Sequence, residues 1–118
     1  KGAASERDAA KAARAIAKSP LAKTSWFGCD PNWGRVLAAA GYSGAAVDER
    51  KAEVFYDDCR AYSKGSVADE TQLAALAKVL EKKAFTVTVD LHLGRGSATI
   101  YTCDFSLDYV HINADYTT

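Results

Sequence analysis

The chain has 118 residues, of which 48% are hydrophobic and 25% charged, a composition that suits one globular domain or part of one and excludes a disordered chain. Lysine and arginine total 15 and aspartate and glutamate total 15, so the formal net charge is zero and the basic surplus of a phosphate-binding protein is missing. No apolar run approaches the ~20 residues that span a bilayer, so neither nucleic acid nor a membrane is an expected partner.

The first predicted element is a helix capped by Ser5, with Asp8 at capping-box distance and Ala9, Ala12, Ala13, Ile16 and Ala17 recurring at helical spacing. Arg7, Lys11, Arg14 and Lys18 form its solvated face. Ser19-Pro20 stops this helix and Pro20 opens a short one leading to Trp26 and Phe27. Asp30 followed by Pro31 predicts a third helix, with Asp30 at the N-cap and Pro31 in its first turn. Its buried stripe is Trp33, Val36, Leu37 and Ala40, and Gly41 ends it. Gly34 costs about 1 kcal/mol relative to alanine inside a helix, which predicts a close approach of another backbone or a ligand there.

Ala52 to Tyr56 and Cys59 to Tyr62 read as a hairpin turning at Asp57-Asp58, followed by a loop over 63–66. A fourth helix is predicted from Asp69 to Lys82, burying Leu73, Leu76, Val79 and Leu80, with acids at its start and lysines at its end. Phe85, Val87, Val89, Leu91 and Leu93 alternate with polar residues as a strand. Gly94-Arg95-Gly96 is expected to turn the chain into a partner strand over 97–103. The segment from Asp104 to Thr118 has no clear period, but Tyr109, Val110 and Ile112 predict partial burial. The pattern is α+β, with antiparallel hairpins packed against helices.

The three cysteines, Cys29, Cys59 and Cys103, are sparse and odd in number. They read as buried or half-buried free thiols in a reducing compartment. No Cys-x-x-Cys or His-x-x-x-His spacing supports a metal site. No Gly-x-Ser-x-Gly elbow, phosphate loop or dinucleotide fingerprint is present. His92 and His111 read as solvated or hydrogen-bonded histidines. The tail from Asp108 to Thr118 is rich in hydrogen-bonding side chains, and Asn113 offers two donors and an acceptor that suit an amide or an oxyanion.

Two long stretches carry a resemblance. One runs from Ala17-Lys18-Ser19-Pro20-Leu21-Ala22-Lys23-Thr24 through Phe27-Gly28 to Asp30-Pro31-Asn32-Trp33-Gly34-Arg35-Val36-Leu37-Ala38-Ala39. The other comprises Ala98 to Asp104 and Tyr109-Val110-His111-Ile112-Asn113-Ala114-Asp115-Tyr116-Thr117-Thr118. Together they resemble the ornithine acetyltransferase family, the glutamate N-acetyltransferases of arginine biosynthesis, from near Gly2 to Thr118. The resemblance implies a precursor that cleaves itself into α and β chains, exposing an N-terminal threonine nucleophile. That threonine would carry acetyl from N-acetylornithine to glutamate by ping-pong transfer. Some members also make N-acetylglutamate, with acetyl-CoA as donor substrate, and no bound cofactor is implied.

On this reading residues 1–118 are the C-terminal portion of the β chain. The sequence opens at Lys1 and has no Met, so it is expected to be a processed or truncated product. The nucleophile, the oxyanion-hole threonines, a substrate-binding lysine and a functional glutamate would all lie upstream, leaving no catalytic residue here. What carries over is Asn113 and Thr118 as substrate-binding residues. The implied partners are the α chain, the rest of the β chain, N-acetylornithine and glutamate, within an oligomer of αβ units. The implied location is the cytoplasm, or the mitochondrion in a eukaryote. Cys29 and Thr117 depart from the family's pattern, and the segment from Ser43 to Ser66 matches it poorly. The competing readings are a non-catalytic amino-acid-binding or assembly module, and a related self-cleaving aminopeptidase.

Overall fold

A computed structural model describes residues 1–104 of the chain. Ser5 caps α1 (Glu6–Lys18) by accepting from the Asp8 amide at 3.1 Å, and Ala9, Ala12 and Ala17 are buried beneath it. Ser19 serves two helices: its amide donates to Ile16, closing α1, and its hydroxyl accepts from Ala22, opening α2 (Pro20–Phe27) with proline in the first turn. The third helix, α3 (Trp33–Tyr42), buries Val36, Leu37 and Ala40 as expected.

Its start differs from the prediction. Asn32, not Asp30, is the N-cap, accepting from the Arg35 amide at 3.1 Å, and Pro31 lies just outside the helix. Asn32 also donates to Asp30 at 3.3 Å, so both side chains serve the turn. Gly41 does not end the helix, which runs on to Tyr42 and is closed by Ser43. Nor is Gly34 a point of close approach: a Cβ there would meet only the Asn32 side chain at 3.4 Å, an ordinary contact.

The sheet is antiparallel throughout, in the order β3-β2-β1-β4. The predicted hairpin is β1 (Glu53–Tyr56) and β2 (Cys59–Ser63), turning at Asp57-Asp58. The register shifts after Val54, leaving Ala61 as an extra residue on β2. That bulge explains why Ala61 and Tyr62 are buried in succession where alternation would expose one of them. The loop over 63–66 is a tight turn into β3 (Ser66–Val67). Lys64 and Gly65 both have positive φ, 49° and 94°, as a two-residue hairpin loop of matching twist requires.

The fourth helix, α4 (Glu70–Leu80), has a full capping box between Asp69 and Gln72. Leu76, Val79 and Leu80 are buried, each worth about 1.5–3 kcal/mol of apolar transfer. Leu73 departs from the expected stripe and is 47% exposed, and the helix stops short of Lys82.

The predicted strand over 85–93 is shorter, and its partner is different. Only β4 (Val87–Asp90) forms, and it pairs with β1 rather than with 97–103, which is not a strand. The Asp90 carboxylate accepts from the His92 amide at 3.1 Å, and His92 takes φ +52°, which bends the chain out of the strand. The glycines beyond it then receive the chain's first residues instead of turning a hairpin. Ala3 and Gly96 exchange backbone bonds of 3.1 and 2.8 Å. A Cβ on Gly94 would lie 2.7 Å from the Ala3 carbonyl, and one on Gly96 would overlap the Ser5 carbonyl, so both positions require glycine.

Helices and sheet share one core on one face of the sheet, centred on Val54, Tyr56, Val36, Leu76 and Leu80. Trp33 extends it by stacking on Tyr62 with ring centroids 4.3 Å apart. Glu53 and Phe55 alternate with the buried Val54 and Tyr56, so they face away from the helices. The fold is α+β, as the residue pattern predicts.

Candidate functional site

A groove of about 950 Å³ lies between α1 and the outer edge of β4. Its floor is apolar: Ala9, Ala12 and Ile16 from α1 face Phe85, Val87 and Val89. Small alanine side chains keep one wall low, which lets a further element approach closely. Residues 97–104 form another wall, tied to the end of α1 where the Thr102 hydroxyl donates to the Ala17 carbonyl at 3.0 Å. The chain therefore runs along this groove as it enters its tail. Asn113, Thr118 and His111 all lie outside the described residues.

Lys82 stands at the rim, 2.6 Å from Asp57. The Lys82 hydrogen bond, followed by the Thr86 amide, holds the Asp57 carboxyl below its ordinary pKa, and the same pairing raises that of Lys82. Asp57 has φ +51°, a conformation aspartate tolerates better than most residues. The pair locks the β1–β2 turn to the start of β4, so its role is to position the rim.

The motif over 30–35 is absorbed by structure. Asp30 and Asn32 build the turn into α3, Trp33 stacks on Tyr62, and Arg35 donates to the Leu21 carbonyl at 3.0 Å. Cys29 and Cys103 are exposed and Cys59 is half-buried, so the expected burial fails at two of the three thiols, though all are free. Cys29 takes φ +56° in the tight turn after α2, which turns its side chain out to a 3.4 Å contact with the Leu80 carbonyl.

On the polar side of the sheet sits a cluster that sequence reading missed. His92 Nε2 lies 2.6 Å from Glu53, and Nδ1 lies 3.5 Å from Asp90. Ser63 donates to the other oxygen of Glu53 at 2.8 Å, and Arg60 stands 3.6 Å from it. The His92 hydrogen bond, then that of Ser63, holds the Glu53 carboxyl below its ordinary pKa. The carboxylate, not the imidazole, receives the serine proton's bond. The histidine therefore cannot take that proton directly, and the order is wrong for an activated nucleophile. These groups come together only through the β2-β1-β4 pairing, and no local spacing in the sequence announces it.

Two buried polar atoms lack partners among the described residues, Trp26 Nε1 and the Tyr56 hydroxyl. Burial, with a smaller contribution from the charge of Asp30, pushes the Tyr56 hydroxyl far above its ordinary pKa, so it stays neutral. The described residues thus offer structural polar contacts and an open apolar groove.

The comparisons with known proteins cover the whole chain. The ArgJ family model matches residues 1–118. The arginine biosynthesis bifunctional protein ArgJ of Geobacter sulfurreducens is 58% identical over 118 residues, which are 100% of this chain and 30% of that protein. The glutamate N-acetyltransferase of Methanosarcina acetivorans is 41% identical over 121 residues, covering 99% of this chain and 31% of that one. A crystal structure of the arginine biosynthesis bifunctional protein ArgJ from Bacillus halodurans superposes with a TM-score of 0.87 at 34% identity, covering 98% of this chain and 54% of the crystallised one. The chain thus spans about 30% of the length of the curated relatives it matches. With the family model matched from end to end and the same α+β arrangement in a solved relative, the chain belongs to the ArgJ family.

Proposed function

We propose that this chain is the C-terminal portion of the β chain of a self-processed glutamate N-acetyltransferase acting in arginine biosynthesis. The observation that carries the reading is the 58% identity to a bifunctional ArgJ protein across every residue of the chain. The reaction moves acetyl from N-acetylornithine to glutamate through an acyl-threonine on the upstream segment, with acetyl-CoA as a second donor in a bifunctional enzyme. This portion closes the site with its tail, where Asn113 and Thr118 hold the polar groups of the amino-acid substrate. The α chain and the rest of the β chain are its partners, in a cytoplasmic oligomer of αβ units.

The full-length enzyme tests this directly. Acetyl transfer from N-acetylornithine to glutamate is expected, and Asn113→Ala should lower kcat/KM about 100-fold, the scale of one lost hydrogen bond to a polar substrate or its transition state. An unchanged kcat/KM removes Asn113 from the site. The isolated 118-residue chain should be inactive, and turnover by it would overturn the assignment of the nucleophile to the upstream segment.

A further inference from the structure

The outer edge of β4 is a half-finished parallel ladder. Pairing with β1 uses alternate residues of β4, and the 2.7 Å bond from the Asp57 amide to the Thr86 carbonyl sets which ones: Thr86, Thr88 and Asp90 face β1. The backbones of Val87, Val89 and Leu91 therefore face outward. Lys1 takes part of that edge. Its nitrogen donates to the Val89 carbonyl at 2.6 Å, and its carbonyl accepts from the Leu91 amide at 2.9 Å. One residue bridging two positions on either side of Asp90 is the parallel pattern. Among the described residues nothing bonds the Val87 amide, the Val87 carbonyl or the Val89 amide. They are left beside the apolar groove, where unpaired backbone groups are costly and invite a strand.

We propose that the polypeptide immediately preceding Lys1 in the full-length protein is a further β-strand, parallel to β4 and seated on its free edge over the groove. This rests on the reading of the chain as part of a longer enzyme, which the 30% coverage of its relatives supports. The register follows from the bonds of Lys1. The residue two before Lys1 donates to the Val87 carbonyl and accepts from the Val89 amide. The residue four before it accepts from the Val87 amide. Side chains in register share a face, as the 3.9 Å approach of the Lys1 ammonium to Asp90 shows. The residues one and three before Lys1 thus lie on the face of Val87 and Val89 and should be apolar, while those two and four before it lie on the face of Thr88.

Cysteine cross-linking in the full-length protein tests the register. Thr88→Cys combined with a cysteine two residues before Lys1 places the two Cα atoms about 4.8 Å apart, within disulfide range. Mild oxidation should join those two peptides, seen by mass spectrometry as the loss of two hydrogens. A cysteine three residues before Lys1, on the opposite face, should stay free. Linkage at the third position instead of the second, or of Thr88→Cys to Cys103 or to a second copy, overturns the proposal. The unmodified enzyme gives an independent reading: the Val87 and Val89 amides should exchange about 100-fold or more slower than unpaired amides, and exchange at the unpaired rate overturns the strand. Acetyl transfer measured on the same preparation keeps the two readings apart, since an active enzyme with neither link nor protection loses only this strand.

Discussion

Gly96 shows how one missing side chain can hold two distant segments of a chain together. Its Cα faces the Ser5 carbonyl so closely that a methyl group cannot fit, and the obstructing atom is backbone. Gly96→Ala should therefore destabilise the protein by about 1–3 kcal/mol, the range for overpacking a filled site, read as a lower denaturant midpoint. Glu53 is the residue to follow in acid. Its pKa is lowered from 4.5 in the folded protein, first by the His92 bond and then by Ser63. The unfolded chain therefore binds the proton more readily. The carboxylate's contribution is fully present above about pH 4.5 and is lost as pH falls through the lower folded value. Glu53→Gln should be less stable than the parent at pH 6 and should narrow that difference towards pH 3, measured by urea denaturation at each pH. The cluster is invisible in the sequence because its members come from β1, β2, the end of β4 and the bend that follows it. His92 alone suggested a solvated or bonded histidine, which is what it is, but nothing in its neighbourhood named Glu53 as the partner.

At the scale of elements, local signals and the β1–β2 hairpin are legible in the sequence, and the pairing of distant segments is not. Caps and turns are local chemistry: Ser5 caps α1 as expected, α1 stops at Ser19 and α2 opens at Pro20, and the Asp57-Asp58 turn lies where two β runs meet. Asp-Pro and the Asn two residues on both satisfy the rules for a helix start, and it is Asn32 that takes the Arg35 amide. The 97–103 strand failed for a different reason. Hairpin logic assumes that a glycine turn serves adjacent segments, and here the glycines make room for residues nearly a whole chain away. The capping box of α4 gives a clean test of the local kind. Asp69→Ala removes the acceptor for the Gln72 amide at 2.8 Å and should cost about 1 kcal/mol, seen as a lower midpoint in thermal or chemical unfolding.

For the whole molecule, zero net charge and an open apolar groove act together. A chain of pI ≈ 6.9 has little charge repulsion near neutral pH, and among the described residues the groove offers an unfilled apolar surface. The isolated chain should therefore enhance the fluorescence of an apolar dye such as ANS at pH 7, and the full-length protein should do so far less. Equal enhancement would mean that the groove stays open in the enzyme. The family was readable because two long motifs recur in order, whereas the groove was not. A surface left unfinished has no signature in a sequence whose apolar residues all look like core.

The contact between Lys1 and Val89 spans 88 positions of the chain. On a ribosome, the first three helices can form while the later strands are still unmade, because their hydrogen bonds are short-range. The sheet edge cannot close until residues 89–96 have emerged, so residues 1–3 must wait, unpaired at that edge, while some ninety further residues are made. Long-range closures of this kind slow folding, because the loop entropy is lost before the contact forms. The pairing of Lys1 and Ala3 with this edge therefore comes after residues 89–96 are made, and anything that occupies the edge early, a second nascent chain included, competes with it.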